Sequence, residues 1–253
     1  VFPQFYSSHR KLPPAVKGLL LVNVVGFVIA RLSGSISFDY FFGLTVPAVF
    51  SHFRIYQFVT YLFVHGDFVH PLFNMLILYM FGRELELCWG TPFFLRYYFI
   101  SGIGAGICSI PFIWGIDAPL IGASGALFAL LIAYGLLFPD RVITLFPIPV
   151  RMKARQMVLI FVGIELLLLF SRGGGGGIAH FAHLGGALIG FICLKWPVLL
   201  KRRERSPSDS TRTDSRELFQ DELNRVLDKL AVKGWGGLSD REKEFLHDAR
   251  NQL

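Results

Sequence analysis

Three groups of side chains in apolar surroundings could do chemistry together. "LIGASGALFALL", residues 120–131, sets Ser124 between Gly122 and Gly125 directly ahead of an apolar run. "AHFAHLGGALIG", residues 179–190, places His180 and His183 one helical turn apart, with Gly186 and Gly190 continuing the His183 face at i+3 and i+7. "HPLFN", residues 70–74, puts His70 and Asn74 on one face at i, i+4. A histidine within reach of a serine is a base beside a nucleophile, and side-chain N–H donors nearby suit the oxyanion of acyl transfer. Each group also has a plainer account. "GASG" opens a small-residue stripe, Gly125, Ala129 and Ala133, of the kind that packs helices. His180 fits a histidine bonded to a neighbouring carbonyl, and His70 with Asn74 fits helix–helix hydrogen bonding. The three groups fall near the same ends of three segments, which independent packing accidents would not favour.

The elements that must position these groups are membrane helices. The 253 residues are 53% hydrophobic and include 26 Phe, more apolar surface than a soluble domain buries well. Six apolar segments are predicted, at 15–33, 68–84, 92–114, 124–138, 155–171 and 178–199. None reads as a cleaved signal peptide. The apolar run Ala126–Phe138 has thirteen residues before Pro139 and Asp140 end it. That is about 20 Å of helix where a bilayer core needs about 30 Å. A helix starting at Ser124 and reaching the cytoplasmic face would put the serine roughly 10 Å below the outer surface. The loop 115–123 must then dip inward against protein or a water-filled cavity. If segment six lies against the small stripe of segment four, His183 faces Ser124.

A net charge of +7 raises the possibility of nucleic-acid binding, but the positions exclude it. Arg10, Lys11 and Lys17, then Arg141, Arg151, Lys153 and Arg155, then Lys201, Arg202, Arg203 and Arg205 all fall on one side of a six-span topology. They read as positive-inside signals, with both termini cytoplasmic and contacts to anionic lipid. Cys88, Cys108 and Cys193 have no metal-ligand or disulfide spacing and read as buried small hydrophobes. The aromatic-rich stretch 34–64 is expected as a long loop in the outer interface. Residues 173–177 are five consecutive glycines joining segments five and six, either a spacer or a hinge. Residues 201–216, "KRRERSPSDSTRTDSR", read as a flexible linker. Residues 217–253 read as a small cytoplasmic helical hairpin. Leu218, Val226, Leu227 and Leu230 mark one face of it. A capping box, "SDRE", at 239–242 opens a second helix with Phe245 and Leu246 inward. The partner of that hairpin is unknown.

With these motifs in place, the chain resembles the rhomboid intramembrane serine proteases of bacterial type. The matching pieces are "HGDFVHPLFN" (65–74), "GASG" (122–125), "AHLGGALIG" (182–190) and the turn "ELCWG" (86–90), within residues 15–197. The resemblance implies an all-α, polytopic fold, a six-transmembrane-helix bundle filling residues 1–200, with a water-filled cavity open to the outside. It implies a Ser124–His183 dyad with no triad carboxylate, and an oxyanion site of His70, Asn74 and the Ser124 N–H. Phe128 would stack on His183, with Gly122, Gly125, Gly186, Gly190 and His65 in supporting roles. It implies no cofactor and no metal, transmembrane protein substrates, a lipid bilayer, no nucleic acid, and the bacterial inner (plasma) membrane. One departure is that Tyr56-Gln57 stands where many members have Trp-Arg, which removes an arginine anchor of the first outer loop.

The expected activity is hydrolysis of peptide bonds in or near transmembrane helices. The alternative is a non-catalytic relative that binds and escorts membrane clients, which would not need Ser124 as nucleophile. A channel or transporter would rely on Glu165, in "VGIELLLLF", but no second buried charge offers a relay; a single buried carboxyl, protonated or bonded across helices, is the simpler account.

Overall fold

The computed structural model describes residues 12–33, 36–145, 150–171, 178–195, 225–226, 229–230 and 235–252. Residues 1–200 and 201–253 form separate compact units. The first unit is mostly helical.

Helix α1, Pro14–Leu32, opens on two prolines, which suit a first turn that has no N–H partners. The next two N–H groups, of Ala15 and Val16, donate to the Glu86 carboxylate at 2.9 and 2.8 Å. Thr91 Oγ1 donates to the same carboxylate at 2.6 Å, so the "ELCWG" turn caps one helix and joins it to the next. The expected outer loop is instead a chain of short helices: α2, Ile36–Phe42; α3, Val46–Phe50; α4, Gln57–Thr60; and a 3₁₀ turn, Tyr61–Phe63. Gln57 is fully buried and organises them. Its side chain accepts the Thr45 N–H at 3.1 Å and donates to the Tyr40 and Phe41 carbonyls, each at 3.1 Å. The missing arginine anchor is therefore replaced by an amide, which supplies both donors and an acceptor to the backbone of this segment.

The second segment runs as α5, Val69–Ile77, a widened π turn, Leu78–Gly82, and α6, Arg83–Trp89. It ends at Gly90, whose φ of +79° reverses the chain at little cost to glycine. Helix α7, Thr91–Ile113, follows. Helix α8, Ser124–Leu137, is the short helix expected, with Pro139 beyond its end. An all-α fold does not account for what comes next. Val142–Leu145 (β1) pairs antiparallel with Val150–Lys153 (β2), Val142 opposite Lys153. β-Branched Val142, Ile143, Thr144 and Val150 favour the extended ribbon. Helices α9, Ala154–Ser171, and α10, Ile178–Lys195, complete the unit. The glycines at 173–177 lie outside the described residues.

Pro14–Leu32 and Thr91–Ile113 are long and apolar enough to cross a bilayer, while Ser124–Leu137 and Ala179–Lys195 are shorter apolar helices. The core lies among α7, α8 and α10, where Tyr97, Leu127, Leu130 and Ala133 are all essentially inaccessible. Three basic residues around the ribbon are paired. Arg141 meets Glu84, and Lys153 and Arg155 meet Asp140 at 3.2 and 3.4 Å. The cysteines are free; Cys193 is buried as expected, but Cys88 is exposed near the end of α6.

In the second unit, the helix Asp240–Gln252 begins with the anticipated capping box. Ser239 N–H donates to Glu242 Oε2 at 2.8 Å, and Glu242 N–H donates back to Ser239 Oγ at 3.3 Å. The Lys229 ammonium hydrogen-bonds Glu242, and with Ser239 it pulls that carboxyl down to about 2. The linker 201–216, and Leu218 and Leu227 of the first predicted helix face, lie outside the described residues.

Candidate active site

Ser124 is the first residue of α8, and the loop before it is tied down from outside. Leu44 and Leu120 exchange backbone hydrogen bonds at 2.9 Å each, and the Gly122 N–H donates to the Tyr61 carbonyl at 2.9 Å. The segment 36–63 thus holds the serine loop. Gly122 has a φ of +113°, and an added Cβ would lie 2.6 Å from His70 Nε2. Only glycine fits both that backbone and that approach, which brings His70 alongside the serine.

His183 reaches Ser124 because α8 and α10 touch at glycines. A Cβ on Gly186 would sit 2.0 Å from the Gly125 carbonyl oxygen. One on Gly190 would sit 2.6 Å from Ala129 Cβ and from the Tyr97 hydroxyl, which donates to the Ala129 carbonyl at 2.8 Å. At this separation the Ser124 hydroxyl and His183 Nε2 are 2.7 Å apart, a hydrogen-bond distance. The Phe128 ring stacks on the imidazole, centroids 4.6 Å apart and planes 9° from parallel. Stacking fixes the ring plane and leaves the nitrogens in its edge free for polar partners.

Beside the pair lies an open cavity of about 320 Å³. Ser124, His183, Phe128, His70, Asn74 and Asp67 line it together with apolar residues of α5 and α8. His70 comes from the first turn of α5, where Asp67 accepts its backbone N–H at 2.8 Å. Asn74 sits one turn on and is buried; its Nδ2 donates to His65 Nε2 at 2.9 Å. That bond uses one amide hydrogen and leaves the second for the cavity. His65 is 1% exposed and packs edge-on against His70 at 4.9 Å. Burial first, and the His70 ring second, hold it down to about 3, so it stays neutral at physiological pH and can accept from Asn74. Ser124, His183, His70, Asn74, Phe128, Gly122, Gly125, Gly186, Gly190 and His65 are therefore all within one connected region.

The surroundings of His183 differ from the expectation in one respect. A carboxylate lies behind the imidazole. Glu165 of α9 places Oε1 3.0 Å from His183 Nδ1, and His180 Nδ1 donates to Oε2 at 2.5 Å. A histidine without an acidic neighbour does not describe this site, and His180 bonds a carboxylate rather than a neighbouring carbonyl. The sequence signal available was the spacing of Glu165 from a segment end. With residues 172–177 in between, periodicity could not say which face of α9 would meet α10. Gln57 was similarly visible only as the lack of an arginine.

A rhomboid domain model matches residues 52–199, more than half of the chain. The chain belongs to the rhomboid family. It is 35% identical over 137 residues to the mitochondrial rhomboid protein 1 of Saccharomyces cerevisiae, covering 51% of this chain and 38% of that protein. It is 28% identical over 150 residues to the rhomboid-like protease 1 of Toxoplasma gondii, 59% of this chain and 50% of the relative. It is 32% identical over 157 residues to RHOMBOID-like protein 2 of Arabidopsis thaliana, 60% of this chain and 46% of the relative. The chain thus spans half or less of the length of these relatives. As a rhomboid with two helices of spanning length, it is a membrane protein. The rhomboid match includes the serine loop, the His70–Asn74 turn and the glycine seam of α10, and stops short of residues 201–253.

Proposed function

We propose that this rhomboid is an intramembrane serine protease that hydrolyses peptide bonds in or near the transmembrane helices of membrane proteins. The observation that carries the reading is the 2.7 Å contact of Ser124 with His183 at the wall of a cavity that His70 and Asn74 also line. His183 Nε2 takes the Ser124 proton as the oxygen attacks the scissile carbonyl. The oxyanion is met by Asn74 Nδ2–H, His70 and the Ser124 N–H at the start of α8. An acyl-enzyme forms, the proton passes from His183 to the leaving amine, and water entering through the cavity releases the acid. A helical substrate hides its carbonyls in its own hydrogen bonds, so segments with Gly, Pro or other poor helix formers are the substrates expected.

The topology that goes with this reading has six spans: α1, the run α5–α6, α7, α8, α9 and α10. Both termini, the ribbon β1–β2 and the C-terminal unit are cytoplasmic, as the placement of basic residues supports. The membrane we propose is the bacterial inner membrane, in keeping with the bacterial type that the core resembles. Transmembrane proteins and the bilayer are the partners this reading requires, and 201–216 links the membrane domain to the hairpin.

The test is labelling with a fluorophosphonate probe and cleavage of a reconstituted transmembrane substrate. Ser124→Ala should abolish both while the melting temperature stays within about 2 °C, because a surface-lining hydroxyl contributes little to packing. Substantial cleavage by Ser124→Ala would overturn the mechanism.

A further inference from the structure

Glu165 is buried midway along the apolar helix α9, and each of its oxygens faces a histidine of α10. A carboxylate in such surroundings is costly unless it is paired. His180 Nδ1 donates to Oε2 at 2.5 Å. His183 Nδ1 is itself buried, and Oε1 at 3.0 Å is close to it but out of line for a hydrogen bond. Catalytic hydrogen bonds are often misaligned before substrate binds and tighten in the complex. Distances argue against reading the three side chains as a metal site. Two ligands on one tetrahedral zinc stand about 3.3 Å apart, since each bond is about 2.0–2.1 Å. The His180 nitrogen and the Glu165 oxygen are closer than that, as direct hydrogen-bond partners are.

We propose that Glu165 is a positioning residue for the base, converting the serine–histidine pair into a Ser124–His183–Glu165 relay that His180 buttresses from the far side. The proposal rests on the serine-protease reading above. Glu165 holds the proton of neutral His183 on Nδ1, which leaves the Nε2 lone pair aimed at Ser124. As the Oγ–carbon bond forms, the hydroxyl proton moves to Nε2 and the carbonyl π pair moves onto its oxygen. The imidazolium is then stabilised by a carboxylate that remains ionised throughout. The other groups facing His183 do not do this. They are Ser124 and Phe128 of α8, His70 of α5, and His180 on its own helix. Asp67 lines the same cavity from the start of α5 and contacts the His70 backbone.

The experiment measures kcat, KM and their pH dependence on one transmembrane substrate for the wild type, Glu165→Gln and Glu165→Asp, with Ser124→Ala as the blank. Glu165→Gln should lower kcat by on the order of 10²- to 10⁴-fold, as loss of a base's orienting carboxylate does, with KM nearly unchanged. Its acid limb should move to lower pH, because the variant lacks the negative charge beside the base. Glu165→Asp should recover part of both effects. Nitrogen NMR of labelled histidine in the wild type gives a readout that needs no variant to fold, and should find the His183 proton on Nδ1. An unchanged kcat and acid limb in folded Glu165→Gln overturns the proposal, as does a His183 proton on Nε2. Cleavage that survives in Ser124→Ala, or no cleavage by the wild type, overturns the protease reading itself and the relay with it. Those outcomes do not depend on position 165, so the two failures are distinct.

Discussion

An added Cβ at Gly186 would lie 2.0 Å from the Gly125 carbonyl oxygen, whereas at Gly163 it would meet nothing within 4 Å. The two glycines mark the two ways in which helices carry the site. Along the α8–α10 seam, backbone meets backbone, and ten of the fourteen residues of α8 are buried. On α9 the flank is open, with Leu159 and Leu167 about 70% exposed. Ser124 and His183 belong to the seam; Glu165 belongs to the open helix but points its carboxylate back at the seam. Close packing of small residues sets the 2.7 Å distance between the reacting atoms, because neither helix can move without opening a void or a clash. α9 is close-packed on α8 at its other end, where a Cβ on Gly135 would lie 2.5 Å from Val158, and around Glu165 polar contacts to two histidines hold it. The serine and its base are thus held by packing, and the acid behind them is held by charge.

The largest effect that would break this contrast comes from the seam itself. Gly186→Ala forces a methyl into three backbone atoms of Gly125, which cannot turn aside as a flexible side chain could. The helices must part, and Ser124 must move away from His183. Cleavage should fall by at least about 10²-fold, as a displacement near 1 Å at the reacting atoms does. The melting temperature should fall by roughly 5–10 °C, since overpacking costs about 1–3 kcal/mol. Thermal melting in detergent alongside a cleavage assay decides it, and an unaltered melt would mean that the seam is not close-packed.

A smaller effect should follow from the outer segment. Gln57→Ala leaves the Thr45 N–H and the Tyr40 and Phe41 carbonyls without the partner they now share. A buried backbone group left unpaired costs about 1–3 kcal/mol, less where water can enter. The serine loop is bonded to this segment through Leu44 and Leu120, so turnover should fall by roughly tenfold, in line with an indirect displacement. Steady-state kinetics checks it. Full activity would show that the serine loop keeps its place without the outer segment.

Much of the seam was legible in the sequence, and little of the rest was. Gly125, Ala129 and Ala133 on one helix, and His183, Gly186 and Gly190 on another, obey a period that translates directly into a face. The short run before Pro139 announced a helix starting at the serine. The same periodic argument failed where contacts are set by chain reversal. Glu165 is one carboxylate on a helix that is apolar all round, so no face is singled out and its histidine partners could not be named. Gln57 sits among aromatics without a period, and its three bonds go to backbone, which sequence hides. The β1–β2 ribbon was missed because four-residue strands carry too few alternations to stand out beside basic residues that read as topology signals.

The smallest effect should come at Gly163. Alanine is preferred over glycine inside a helix by about 0.5–1 kcal/mol, chiefly because it restricts the unfolded chain. The space around Gly163 is open, so nothing opposes that gain. Gly163→Ala should therefore raise the melting temperature by roughly 1–3 °C. Labelling of Ser124 by a small phosphonate should not change, since the probe arrives through the cavity and the serine is held by the other helices. Cleavage of a transmembrane substrate should stay within about twofold of wild type if α9 is only a scaffold for Glu165, because surface changes remote from contacts are usually small in effect. The two assays together sharpen the contrast between seam and flank. A variant that labels normally but cleaves the membrane substrate several-fold more slowly would show that the open face of α9 touches or admits the substrate. A variant that loses labelling as well would show that the flank is tied to the reacting atoms as tightly as the seam, and the distinction drawn between them would not hold.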